Sequence, residues 1–383
     1  MDFNDKKKRL LSLRETIMRM PSNMNKVNMI DGYAGLLGFY KEVCGLTMDE
    51  AKEYDIDEEF LSKYDRKITK ITQNKIDEIS EIAPILYKKY DDIINEYKKN
   101  GFCSYEFSLF KRVNPDKLYE IVADFFKFLG TDVAKLYNQI IKNNNIFLLD
   151  DCDYSGVSMN ALAVDNPCII IRNVEDYLSY YFTLVHEMGH CYQFYLQRNH
   201  SHLEVFNPFT ESTSLLFEKM FMFYLKNNHM FLDDLFDYEL ENHIYFLNDL
   251  ASSKVIFELL MNKDVRNVNT YDLTYESSVP LYELQRKMIT DCGYIMSNKL
   301  NFELSEIHYS TGEIIATYFM NKMKNDFNGA WNEYKNFITT CDNYPLEDIV
   351  NKYIDTDLVK NEIKIFTKSY RMGSGKLNNK VTS

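Results

Sequence analysis

Tyr177-Leu178-Ser179-Tyr180-Tyr181-Phe182-Thr183-Leu184-Val185-His186-Glu187-Met188-Gly189-His190 is the stretch on which the reading of this chain turns. Leu178, Tyr181, Phe182 and Val185 recur at helical spacing, and Asn173-Val174-Glu175-Asp176 just before them reads as a helix start, a cap residue followed by acidic first-turn residues. On such a helix His186 and His190 lie one above the other, ~6 Å apart, where two imidazoles can share one tetrahedral metal ion. Glu187 is rotated around the helix from that pair and can take a proton from a water held by the ion. The plain alternative is a solvated helix face. Against it, Leu184, Val185, Met188 and Cys191 make the flanks apolar, and two buried histidines without a partner would be costly. With seven histidines in the chain, the five-residue pattern would arise by chance in roughly one chain in a hundred.

A catalytic zinc takes three protein ligands and a water, so a third ligand must come from elsewhere. Asn207-Pro208-Phe209-Thr210-Glu211 reads as a second helix start, and Glu211 lies 25 positions after His186. A helix packed against the first would present it to the metal; equally, an acidic first-turn residue is what a helix dipole favours. Glu218, two turns further on the same face, either orients a ligand histidine or is a surface glutamate. His200 and His202 are rival ligands in the polar loop Arg198-Asn199-His200-Ser201-His202.

The rest of the chain gives this helix its setting. The first ~145 residues read as helices: a long periodic stretch from Glu59, bent or restarted at Pro84 and closed at Asn100-Gly101, then Asp116–Phe128 and Asp132–Ile141. At Asn143 the texture changes to short apolar and β-branched runs, Ile146–Leu149, Gly156–Ala163 and Pro167–Arg172, which read as two or three strands of a small sheet. The expected division is a helical N-terminal lobe over 1–145, a catalytic region over 146–370 and a disordered polar tail over 371–383.

Composition narrows the function classes. The chain has 383 residues, 45% of them hydrophobic, which suffices for a sizeable core. Its net charge of −13 argues against nucleic acid as a partner, since phosphate contacts need a basic surface. Only 13 glycines and 7 prolines favour long helices over turn-rich β architecture. No apolar run approaches the ~20 residues of a membrane span, and no apolar stretch follows Met1–Arg9 as in a secretory signal. Seven cysteines without a Cys-x-x-Cys spacing suggest reduced, buried thiols and a cytoplasmic setting.

Four segments resemble the thimet oligopeptidase / oligoendopeptidase F metallopeptidases. Phe182–His190 is similar to that family's Thr-Leu-x-His-Glu-x-Gly-His; Glu211-Ser212-Thr213-Ser214 with Glu218 to its Glu-x-x-Ser-x-x-x-Glu. Tyr309-Ser310-Thr311-Gly312 and Asn343–Ile349 are similar to its Tyr-Ala-Thr-Gly and Tyr-Pro-x-x-x-Leu segments. The resemblance implies a mainly α, two-lobed helical fold around a deep channel, with a small sheet whose edge binds peptide. It implies one Zn2+ per chain on His186, His190 and Glu211, Glu187 as general base, and Tyr309 as a donor to the oxyanion, acting on short peptides. Two departures stand out. Ile307 occupies a position where family members often have tyrosine, and Lys299–Glu303 replaces a glycine-rich, histidine-containing segment, leaving His308 either as a substitute donor or, more simply, as a helix-face histidine. Alternatives to a zinc endopeptidase are a catalytically silent peptide- or partner-binding scaffold of the same fold and a metal hydrolase acting on a non-peptide amide.

Overall fold

A computed structural model of the protein describes residues 3–20, 29, 33, 36–38, 58–100, 115–149, 155–161, 166–172, 177–198, 209–262 and 305–378. Helices dominate: α1 (Phe3–Arg19), α2 (Glu58–Lys99), α3 (Pro115–Leu129), α4 (Thr131–Lys142), α5 (Tyr177–Gln197), α6 (Ser212–Asn227), α7 (Leu232–Asn262), α8 (Ser305–Met323), α9 (Phe327–Thr340), α10 (Leu346–Tyr353) and α11 (Thr356–Asn378). Strands β1 (Ile146–Leu149), β2 (Gly156–Met159) and β3 (Cys168–Arg172) form a small sheet. This is the mainly α fold with a small β-sheet that the sequence predicts. No helix among the described residues is long and apolar enough to cross a membrane.

The chain folds into two compact units that interleave along the sequence. The first comprises Met1–Ile71, Leu109–Val205 and Thr213–Asp234; the second comprises Thr72–Ser108, Phe206–Ser212 and Leu235–Ser383. The boundary therefore falls inside α2, at the first turn of α6 and inside α7.

In the first unit the sheet has the order β1-β3-β2, with β3 parallel to β1 and antiparallel to β2. β3 is buried from Cys168 to Ile171, as a central strand covered on both faces should be. Because side chains alternate along a strand, Cys168 and Ile170 share one face, where they cluster with Leu10 and Ile17 of α1 and with Leu36 and Leu37. The other face carries Ile169 and Ile171, level with Ser158 and Gly156 of β2. Both β2 and β3 pack against α5. Helices α3 and α4 join at Gly130, which adopts φ 149°, a conformation natural only to glycine. Phe125, Phe126, Leu136, Tyr137 and Ile140 bury their shared seam.

In the second unit α8 packs on α9, α10 and α11 around Phe319, Tyr334, Phe337 and Tyr353, whose rings meet at 4.7–5.7 Å between centroids. Two expectations change here. Helix α2 runs unbroken through Pro84 instead of restarting there. Ile79, Ile82, Ala83, Leu86 and Tyr90 are buried along one stripe while Pro84 is exposed. Burying a large aliphatic side chain is worth ~1.5–3 kcal/mol, so the stripe outweighs the ~3 kcal/mol cost of one proline. The helix does close at Asn100, whose amide donates to the Glu96 carbonyl and carboxylate at 2.8 Å each. At the other end α11 reaches Asn378, so most of the stretch from 371 is helical; extending a helix already nucleated on buried Val359, Ile363 and Phe366 adds one hydrogen bond per residue fixed.

Candidate metal centre

Helix α5 is held by apolar packing on nearly every side: Leu178, Tyr181, Phe182, Leu184, Val185, Met188, Cys191 and Tyr192 are all buried. It lies on β2, β3, α3 and α4, and Tyr192 donates a 2.5 Å hydrogen bond to Asp132 of α4. The motif side chains occupy what remains of its surface. His186 and His190 are only partly buried, and their rings stand 5.0 Å apart between centroids. Glu187 is buried. Nδ1 of His186 lies 2.6 Å from Oε1 of Glu218. That contact occupies one ring nitrogen and turns the other outward, the arrangement by which a carboxylate orients a metal-binding imidazole.

Glu211 immediately precedes α6, so chain connectivity ties it to the helix that carries Glu218. The residues after it are anchored hydroxyls. Ser212, Thr213 and Ser214 are fully buried; Thr213 donates to Gln193 of α5 at 3.0 Å, and Ser212 shares a 3.1 Å hydrogen bond with Tyr334. Helix α6 approaches α5 at Gly189: a Cβ built there would lie 2.5 Å from Ser214 Cα and 2.9 Å from its nitrogen. One ligand atom each from His186, His190 and Glu211 then falls within 4.8 Å of the others. Two imidazole nitrogens and a carboxylate oxygen are the donor set that zinc favours, with a fourth position left over. The group fits the metal that the sequence predicts.

Tyr309 and His308 sit on the first turns of α8. Tyr309 is 38% exposed and so is no core aromatic. Its neighbours are fixed instead. Ser310 shares a 2.8 Å hydrogen bond with Ser253 and donates to Tyr90 at 3.1 Å, and Thr311 donates to the Ile307 carbonyl. Burial holds the Tyr90 hydroxyl far above its usual pKa, so it serves here as a neutral hydrogen-bonding group. One turn on, a Cβ at Gly312 would lie 3.0 Å from both Glu211 Cβ and Ser212 N. The second and third motifs, nearly a hundred residues apart in sequence, are thus packed together. Asn173–Asp176, His200, His202 and the segment 299–303 lie outside the described residues.

No family model matches the sequence, and no curated protein matches it. Among solved structures the chain is similar to one assigned as oligoendopeptidase F from Bacillus anthracis strain Ames, with 13% identity and a TM-score of 0.49 over 90% of this chain and 63% of that one. A second structure assigned as oligoendopeptidase F has 13% identity and a TM-score of 0.47, over 90% of this chain and 65% of that one. PZ peptidase A with an inhibitor has 12% identity and a TM-score of 0.48, over 95% and 71%. The chain therefore spans just under two thirds of the first two proteins. The chemistry of the centre rests on its own residues.

Among the described residues, cysteine chemistry has little place at this centre. Cys191 follows His190 directly, but burial, reinforced by the charge of Glu187, pushes its thiol well above the usual range, and the nucleophile of a cysteine enzyme is the thiolate. Cys168 and Cys341 are likewise buried and unbridged.

What sequence reasoning missed is the clearance between helices. Gly189 sits in a helix interior, where glycine costs ~1 kcal/mol against alanine, and such a glycine usually has a packing reason. Gly189→Ala is expected to force α5 and α6 apart, with a loss of about 1–3 kcal/mol or more because the obstacle is backbone. A thermal melt of the metal-free variant at the wild-type temperature would show that the helices do not meet so closely.

Proposed function

We propose that this chain is a zinc-dependent endopeptidase of the oligopeptidase type, holding one zinc per chain and hydrolysing bonds in short peptides. One observation carries the reading: ligand atoms of His186, His190 and Glu211 gather within 4.8 Å beside the buried carboxylate of Glu187. Zinc bound by these three residues would act as a Lewis acid, bringing a coordinated water towards a pKa of ~7 and taking up charge from the scissile carbonyl. Glu187 accepts the proton that the attacking water gives up and delivers it to the departing amine, which leaves protonated. Glu218 keeps the His186 ring turned for binding. Tyr309 donates a hydrogen bond to the oxygen on which negative charge develops, with His308 beside it as the substitute donor. β2, at one edge of the sheet, offers backbone groups along which an extended peptide can pair. Such pairing reads little side-chain identity and suits broad peptide specificity.

The direct test is digestion of a random peptide pool by the zinc-loaded and the chelator-treated protein, analysed by mass spectrometry. Zinc-dependent cleavage within the peptides is the expected result. Peptide capture without cleavage would replace the reading with a silent scaffold, and an inert zinc protein would point to a non-peptide amide. Tyr309→Phe separates chemistry from packing, because it removes only a hydroxyl. It is expected to lower kcat by about 10²–10³-fold with little change in KM, at unchanged zinc content. An unchanged kcat would make Tyr309 structural and move the role to His308.

A further inference from the structure

We propose that Gly156, at the start of β2, is a positioning residue for the carboxylate of Glu187: the missing side chain at 156 is the space in which that carboxylate lies. A Cβ built on Gly156 would stand 2.8 Å from Glu187 Oε1 and 3.0 Å from its Cγ, and 2.5 Å from Thr183 Cγ2. Carbon and oxygen do not approach so closely without contact strain, so something must move. The kind of obstacle decides what moves. At Gly189 it is the backbone of another helix, and relief means separating two elements. At Gly156 it is two side-chain ends on α5. Thr183 is fixed, because its Oγ1 donates to the Ser179 carbonyl at 2.9 Å and so aims the methyl at the strand. Glu187 has three rotatable bonds, and swinging its carboxylate aside is the cheaper response. A methyl at 156 therefore exchanges the position of the proton acceptor for relief of strain, and leaves the sheet standing.

The strand itself supports this division. Gly156 pairs with Ile171 of buried β3, in extended backbone that any residue adopts, so glycine is not needed for conformation here. Glycine in a strand often marks a close approach; alanine at a position of compatible backbone would stabilise by reducing the freedom of the unfolded chain. The position thus carries a stability penalty whose return is room for Glu187. This inference rests on Glu187 acting as the proton acceptor proposed above.

The two contacts can be separated. Thr183→Ser removes the methyl and keeps the hydroxyl bond to Ser179, so Gly156→Ala combined with Thr183→Ser retains only the encounter with Glu187. Four proteins, the wild type, the two single variants and the double variant, are compared for kcat and KM on a peptide recovered from the pool digestion, for zinc content and for Tm without zinc. Crystal structures of the wild type and the double variant are compared as well. Thr183→Ser alone is expected to behave as wild type. The double variant is expected to keep its zinc, Tm and KM, to lose about 10–100-fold in kcat, the scale of a small misplacement of a reacting group, and to show the Glu187 carboxylate displaced. A double variant with wild-type kcat, or with the carboxylate in its original place, overturns the inference. Were the wild type itself unable to cleave any peptide, the endopeptidase reading would fail, and the crystallographic comparison would still decide the role of Gly156.

Discussion

Glu187→Gln is expected to yield a folded protein that holds its zinc and turns over at least ~10²-fold more slowly, the scale of losing a general base, or ~2.7 kcal/mol of barrier. The substitution keeps the shape of a buried side chain and removes only its ability to accept a proton. Because Glu187 is not among the three residues whose ligand atoms converge, metal analysis of the variant should match the wild type. KM should change little, since the proton moves only as the bond breaks. Steady-state kinetics on one peptide, paired with zinc analysis of the same preparation, checks both halves. Near-normal turnover would refute the assigned role, and loss of zinc would make Glu187 part of the binding site instead.

The ligand set should show a graded response. His190→Ala removes one of the three proposed ligands and Glu211→Gln replaces an anionic oxygen by a weaker neutral one; both are expected to lose stoichiometric zinc together with activity. Glu218→Ala leaves all three proposed ligands and removes only the partner of His186 Nδ1; loss of such an outer partner typically weakens metal binding 10–100-fold. Competition with a chelator of known affinity would resolve the two tiers. His202→Ala serves as the control from the rival loop. If it strips the metal while Glu211→Gln does not, the third ligand has been misassigned.

Much of this was legible because it is local. The four-residue spacing of His186 and His190 is a property of one helix, and so is the apolar periodicity that gives α3 and α4 within one or two residues of their observed ends. Glu211 was only half legible. Its place before a helix start is equally that of an ordinary first-turn acid, and what brings it to the histidines is the crossing of α5 and α6 at Gly189 and Ser214, a contact between segments 25 residues apart. Pro84 misled because a proline's cost is local whereas the stripe that outweighs it is tertiary. The contact of Gly312 with Glu211 had no signature at all, since a glycine in sequence reports an absence and not what fills it.

That absence has a consequence for mutational tolerance. In a saturation scan scored by survival of activity, Gly189 and Gly312 should appear as intolerant as the histidines, although neither carries a donor, a proton or a charge. The pattern of loss separates the two kinds of position. At a ligand, the outcome follows the chemistry of the replacement, so that a carboxylate exchanged for its amide is as damaging as one exchanged for a bulkier group. At these two glycines there is only volume to sense: a Cβ already comes within 3.0 Å of a neighbour at both, and damage should grow with side-chain size, whatever its polarity. A map of essential positions would thus draw the centre larger than its chemistry, with a rim of residues selected for taking up no space.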